Sequence, residues 1–384
     1  MAHVDSEYDV AIVGAGPAGC ACALAFSGRG WRVILVDKAV FPRDKVCGDA
    51  IPARAEHVLR SIDPALAERL RGFPQKVSTK GCRVVAPNHS HFDFYFQTPG
   101  YCSPRVDFDG FLMELVVEAG EVEVRTGFEV AEVERRENGW IVRDKVGTGF
   151  RTRAVVACDG GQSRLARDLA GYALDVRHHC AAVRAYFKGV AEVNEHLMEI
   201  HFLEERLPGY FWLFPVGNGV VNVGFGMLSK RVAEEGLALR RVLKEIVEGT
   251  PGVAERFAGA EQLGAVKGFG LPMGSRKLPL SGEGFLLCGD AAALVEPATG
   301  EGIGNAMLSG KLAADHLHAA LQARDLSAAA MKAYDKALYG KIWSDLRSKY
   351  LAQKFLGERK GMMNWLVSRA NKRGPIRWMM RKVF

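Results

Sequence analysis

The chain has 384 residues, 48% apolar and 25% charged, with a formal net charge of +7 at pH 7. That balance describes a globular protein of two or three domains and excludes a disordered or fibrous one. No run of about 18 apolar residues occurs, which excludes a membrane-spanning helix. The start, Met1-Ala2-His3-Val4-Asp5-Ser6-Glu7, is polar and carries two acids. It lacks the basic-then-apolar layout of a secretion signal, so a cytoplasmic protein is expected. Eight scattered cysteines then read as reduced thiols. No metal site is expected: His178-His179-Cys180 is the one local cluster of ligand types, and adjacent residues rarely reach a single ion.

Residues 8–13 form a short apolar run that ends in Gly14-Ala15-Gly16-Pro17-Ala18-Gly19. A stretch of small residues follows, then a second apolar run over residues 31–37 that closes on Asp37. Strand, glycine turn, helix and strand make a βαβ unit, and an acid beyond the second strand completes the dinucleotide fingerprint. Gly14 allows the tight turn, Gly16 lets the backbone approach a pyrophosphate, and Gly19 permits close packing of helix on strand. Pro17 and Ala18 open the helix whose N–H groups and dipole favour that anion. Asp37 is suited to accept from ribose hydroxyls and to repel a 2′-phosphate, so the site wants FAD or NAD, not NADP. Lys38, beside it, is a further candidate cofactor contact.

Five later stretches carry chemistry. Phe41-Pro42-Arg43-Asp44-Lys45-Val46-Cys47-Gly48 follows the second strand, and Arg105 opens the helix-like run RVDFDGFL. Residues 151–164 read as a strand closing on Asp159-Gly160. Residues 285–304 read as another strand, then Gly289-Asp290-Ala291, Pro297 and Gly300-Glu301-Gly302-Ile303 leading into a helix. Between them, Tyr210, Trp212 and Phe214 alternate, followed by Pro215. Alternation projects the three rings from one face of a strand as an aromatic wall, which suits a long apolar substrate or simply fills a core.

The fingerprint, the Asp-Gly motif and the Gly-Asp-Ala motif, in this order, resemble the p-hydroxybenzoate-hydroxylase-like flavoproteins over residues 6–340. The segments FPRDKVCG and YFWLFP narrow the resemblance to the geranylgeranyl reductase family. That resemblance implies FAD, with Asp290 at its ribityl chain and Asp159 and Gly160 near its pyrophosphate. It implies that Gly289, Gly300, Gly302 and Ile303 aim a helix N-terminus at the flavin, and that Arg43, Cys47, Gly48 and Arg105 lie beside the cofactor. For Arg105 the plain alternative is a surface ion pair with Asp107 or Asp109. Tyr210, Trp212, Phe214 and Pro215 would line the substrate cavity. Where the family has further glycines after Cys-Gly, this chain has Asp49 and Ala50.

The activity implied is saturation of carbon–carbon double bonds in a polyprenyl or similar lipid-like substrate, by hydride transfer from reduced flavin. An unactivated alkene has no carbonyl to polarise, so position and a nearby acid must carry the rate. Cys47 and Tyr210 are the candidate catalytic donors. A flavin monooxygenase is the principal alternative, and a halogenase or a non-catalytic electron-transfer flavoprotein are lesser ones. No second GxGxxG occurs, so the reductant is NAD(P)H docking transiently or a protein electron donor.

Residues 341–384 hold twelve Lys and Arg against Asp345 and Glu358. The rest of the chain therefore carries −3, and a basic tail is appended to a near-neutral body. Ile376, Met379, Met380 and Val383 recur at helical spacing after Gly374-Pro375, with Arg377 and Arg381 on another face, and Met362, Trp365 and Leu366 repeat the spacing upstream. Such a segment is suited to an anionic membrane surface, to an acidic carrier protein, or to packing as a terminal helical layer. Nucleic acid is not expected as a partner.

The expected fold is α/β: a Rossmann-like FAD-binding domain (1–75, 102–170 and 276–335), an inserted antiparallel-sheet substrate domain (76–101 and 171–275), and a basic C-terminal helical segment (336–384).

Overall fold

Two mixed sheets of eight strands each carry the fold. The computed structural model describes residues 4–357, 359–370 and 374. In the first sheet the strands Phe285–Leu287, Gly149–Ala157, Val4–Val13, Val33–Asp37 and Glu123–Thr126 lie side by side and run parallel. Ser281–Gly282 pairs antiparallel at one edge, and the hairpin Val130–Arg136 and Gly139–Asp144 branches onto Gly149–Ala157. The central strands are apolar on both faces, and they share one core with the helix Pro17–Phe26 and with Trp140 and Val142 of the hairpin.

The helix Pro17–Phe26 is buried at all ten positions, which explains its run of Ala, Cys and Gly. It is clasped between the first sheet and the helix Ile303–Ala323, and the two helices touch through backbone. A Cβ at Gly310 would come within 2.0 Å of the Ala18 carbonyl oxygen, and one at Gly19 within 1.9 Å of the Gly14 oxygen.

The second sheet runs Glu261–Pro272, His179–Lys188, Val220–Leu228, Tyr210–Gly217, Leu197–His201, Val77–Val85, His91–Cys102 and Ala50–Ile51. All neighbours are antiparallel except Leu197–His201 with Val77–Val85. The short edge strand Ala50–Ile51 arrives directly from the Cys47-Gly48 turn and pairs with Tyr101 and Cys102. Side-chain parity divides this sheet. Val183, Ala185, Phe211, Leu213, Val223 and Phe225 pack beneath the helix Leu239–Gly249. Trp212, Phe214 and Ile200 belong to the opposite face, with Tyr210 packed against them.

The helices Ala328–Leu356 and Lys360–Ala370 end the described chain. In the second of these the inward face is Met363, Leu366, Val367 and Ala370, while Trp365 is 50% exposed. Of the expected Met362, Trp365 and Leu366, Leu366 is buried and Met362 packs against the same cluster, while Trp365 lies outside it. The pattern expected at Ile376, Arg377, Met379, Met380, Arg381 and Val383 lies outside the described residues. His178 donates to or accepts from Ser275 Oγ at 2.6 Å, and His179 meets Ser229 Oγ at 2.7 Å. His179 and Cys180 begin the strand His179–Lys188. Among the described residues no cluster could hold a metal ion, and no helix is long and apolar enough to cross a membrane.

Gly310→Ala drives a methyl group into the Ala18 carbonyl. It is expected to cost about 1–3 kcal/mol of stability, as core overpacking does, read as a lower urea midpoint with unchanged slope.

Candidate active site

One cavity of about 930 Å³ runs from the glycine turn to the second sheet. Its near end is built almost entirely of backbone. Gly14 holds φ +102°, and a Cβ there would strike the Cys158 carbonyl oxygen at 2.3 Å. A Cβ at Gly16 would project into the groove with Arg43 Nη2 as its neighbour at 3.7 Å. The Asp37 carboxylate is locked by N–H groups of Ala15 (2.7 Å) and Ala39 (2.8 Å), which fix its place on the wall. Asp159 accepts from Ser163 Oγ at 2.5 Å and from Leu165 N–H at 3.2 Å, and burial pushes its carboxyl up.

At the far end the helix Ile303–Ala323 begins from Gly302, and Gly300 holds φ +74° just before it. Asp290 lies against this turn, with its Oδ1 3.2 Å from where a Gly302 Cβ would stand. Lys45 Nζ reaches Asp290 Oδ2 at 3.2 Å and lies over the Phe269 ring. Two helix N-termini therefore open on one groove, with a carboxylate beside each. That arrangement fits FAD: one dipole for the pyrophosphate, the other for the flavin edge where charge gathers on reduction. The glycine positions are those at which a side chain would fill the cradle.

The wall that would meet the flavin rings comes from 43–48 and the second sheet. Arg105, expected either at the cofactor or in a surface pair, forms a bidentate pair with Asp109 (2.6 and 2.7 Å) while only 3% exposed. Arg43 binds the same carboxylate at 2.7 Å. The Arg105 guanidinium also has the Cys47 thiol among the groups that act on its charge. Gly48 packs on the Phe214 ring, 3.2 Å from an added Cβ. Trp212 lies flat across Gly224 because a Cβ there would fall 2.2 Å from its ring. Tyr210 donates its hydroxyl to the Thr299 carbonyl, and burial pushes its phenol far above the ordinary value.

The structure brings Gly14, Gly16, Pro17, Ala18, Asp37, Lys38, Arg43, Cys47, Gly48, Arg105, Asp159, Gly160, Tyr210, Trp212, Phe214, Asp290, Gly300, Gly302 and Ile303 onto this cavity. Three expected residues lie off its lining. Gly19 serves the helix-to-strand contact, and Gly289 (φ +59°) packs against Ala18 and Ala306. Pro215, expected in the substrate cavity, follows the strand's alternation to the face of Phe211 and Leu213.

The apolar residues Cys82, Ile200, Phe202, Met273 and Met363 line a further, apolar arm of the same cavity. The helix Ala328–Leu356 roofs it with Lys349 and Gln353, and Lys349 lies 3.6 Å from the buried Glu296.

Sequence reasoning missed a polar network behind Cys47. The Asp49 Oδ2 accepts from Tyr186 Oη at 2.6 Å and Asn222 Nδ2 at 2.7 Å, and Asn222 Nδ2 also donates to the Cys47 carbonyl at 2.8 Å. Asn222 Oδ1 in turn accepts the Trp212 indole N–H at 2.9 Å. Asn222 was legible only through its register on the strand beside the aromatic wall.

A model for an FAD binding domain matches residues 7–336. Menaquinone reductase of Mycobacterium tuberculosis is 33% identical over 336 residues, covering 84% of this chain and 79% of that protein. Digeranylgeranylglycerophospholipid reductase 1 of Methanopyrus kandleri is 35% identical over 338 residues, covering 85% of each. A geranylgeranyl bacteriochlorophyll reductase-like structure from Thermoplasma acidophilum superposes with TM-score 0.82 at 23% identity, covering 96% of this chain and 92% of that one. A flavin-dependent brominase superposes with TM-score 0.78 at 21% identity, covering 98% and 93%; these two likenesses establish the fold. The fold and the groove define an FAD-dependent oxidoreductase. Within that class, the chain belongs to the geranylgeranyl reductase family.

Burial pushes the Asp49 carboxyl up to about 6 from 3.8, against the opposing pull of Tyr186, Asn222, Arg184 and Arg105. Between those two values the folded protein holds a proton that the unfolded chain has lost, so stability falls as pH rises and levels off above about 6. Asp49→Asn carries no such titration. Its urea midpoint relative to the parent is expected to rise from pH 4 to pH 6 and then hold.

Proposed function

We propose that this protein saturates carbon–carbon double bonds of a polyprenyl chain carried by a lipid or quinone. The observation that carries the reading is that one cavity is lined by the Cys47 turn, the Trp212–Phe214 wall and the apolar residues Cys82, Ile200, Phe202 and Met363. The names of the relatives, a menaquinone reductase and a glycerophospholipid reductase, support a substrate of that kind.

When bound and reduced, FAD supplies the hydride. The chain's own residues do the rest. Gly14, Gly16, Pro17, Ala18, Asp37, Lys38, Asp159 and Gly160 hold the cofactor's adenosine and pyrophosphate end. Arg43, Gly48, Arg105, Asp290, Gly300, Gly302 and Ile303 hold its flavin end. Trp212 and Phe214 press the alkene flat and exclude water, which positions a substrate that offers nothing to polarise. Cys47 gives its thiol proton to the alkene carbon that does not take the hydride, and Arg105 stabilises the thiolate left behind. Solvent then restores the proton. Tyr210 is the weaker donor, since its hydroxyl proton is committed to the Thr299 carbonyl, and it serves to shape the cavity.

Leu351, Phe355 and Trp365 are exposed on the two C-terminal helices, within the basic segment 341–384. This combination supports docking on an anionic membrane surface, from which a lipid chain would enter the arm. NAD(P)H at the open edge of the groove, or a protein donor, would reduce the flavin.

Mass spectrometry of a polyprenyl lipid extract, incubated without oxygen with the yellow protein and dithionite, is expected to show gains of hydrogen pairs. Gain of oxygen seen only in air would sink the reading in favour of a monooxygenase. Cys47→Ala is expected to keep its FAD absorbance and lose at least about a hundredfold in turnover, the scale of a positioned proton donor. Full turnover in that variant would remove Cys47 from the mechanism.

A further inference from the structure

Asp49 has no role in the reaction as derived, yet its setting is costly. The side chain is fully buried, its Oδ1 has no hydrogen-bond partner, and its backbone holds φ +66°, a conformation natural to glycine and tolerated by Asp and Asn. A buried carboxyl at such a position is retained against both desolvation and backbone preference.

Its connections show what it holds. The Asp49 carbonyl accepts from Ser103 N–H at 3.0 Å, which ties the turn to the neighbouring strand's end. Its Oδ2 receives Tyr186 and Asn222. Asn222 is thereby oriented from both ends, because the Trp212 indole can only donate and the carboxylate oxygen accepts. With its oxygen claimed by Trp212 and its NH2 by Asp49, the amide has one orientation, and that orientation presents an N–H to the Cys47 carbonyl. Remove the carboxylate and the amide NH2 loses its strongest partner. The Cys47 backbone and the Trp212 ring then lose their common anchor.

We propose that Asp49 is a positioning residue of the reduction: acting through Asn222, it fixes the Cys47 turn and the Trp212 ring in one relative placement. The inference rests on the reading that Cys47 is the proton donor and Trp212 the wall that holds the alkene. A reacting pair displaced by about 1 Å loses on the order of a hundredfold in rate, so a network that sets this spacing acts on turnover more than on affinity.

The test uses the full-length, FAD-loaded protein with Asp49→Gly, which accepts the same φ, and Asp49→Asn, which keeps an acceptor oxygen for Tyr186 and Asn222. Asn222→Ala cuts the same link from its other end and serves if the glycine variant does not fold. Steady-state kinetics on a polyprenyl lipid are read beside the rate of Cys47 alkylation by iodoacetamide, followed by peptide mass spectrometry without turnover. Asp49→Gly is expected to lower kcat about tenfold to a hundredfold with KM within roughly threefold, and to change the Cys47 alkylation rate. Asp49→Asn is expected to restore both. An unchanged alkylation rate in Asp49→Gly, or an Asn variant as impaired as the Gly variant, would overturn the inference. A fully active Cys47→Ala variant would instead overturn the donor reading alone, and the alkylation comparison would still judge Asp49.

Discussion

The cofactor groove depends on one close approach, the backbone of Gly310 lying against the carbonyl of Ala18. Two helices from opposite ends of the chain, Pro17–Phe26 and Ile303–Ala323, can sit this near only because Gly310 has no side chain at the crossing. Their approach brings both N-termini to the same groove, so two dipoles of like sense face one elongated ligand. Everything that binds the dinucleotide follows from that geometry. Asp37 and Asp290, 253 positions apart in number, become carboxylates of a single cavity.

The second sheet adds specificity by parity alone. One set of alternate residues makes a plain apolar floor under the helix Leu239–Gly249. The other set carries the rings, the glycines that seat them, and the few polar groups that fix them. Gly224 receives the Trp212 indole, and Asn222, two residues away on the same face, takes its N–H. A shift of one residue in the pairing of Tyr210–Gly217 with Val220–Leu228 would send the wall into the floor.

These two levels differ in how far the sequence reveals them. The glycine turn, its flanking strands and Asp37 are local, and local chemistry demands those residue types at that spacing. The face shared by Tyr210, Trp212 and Phe214 follows from the period of a strand. Pro215 was misplaced because it was attached to its motif and not to its parity. The side on which Trp365 falls was left open, because three apolar positions fit two helix faces and only the neighbouring sheet decides between them. The Asp49–Asn222 contact joins residues 173 apart, across a register that no local pattern encodes, so Asp49 was visible in the sequence only as an unexpected residue.

The electrostatics around Cys47 then explain why a thiol, and not the nearby phenol, suits this wall. Asp109 holds two guanidinium groups, Arg43 and Arg105, against one carboxylate, and the Arg105 cation acts on the Cys47 side of the groove. A thiol that has given up its proton there finds a cation already in place and already desolvated, so little reorganisation is needed as charge appears. Tyr210 meets the opposite conditions. Its oxygen is buried among groups that disfavour the phenolate, Glu296 among them, and its proton faces a carbonyl it cannot leave without stranding that acceptor. On the proposed mechanism, the same wall thus contains a thiol beside a cation and a phenol held in its neutral form. That difference in environment divides the labour between proton transfer and shape.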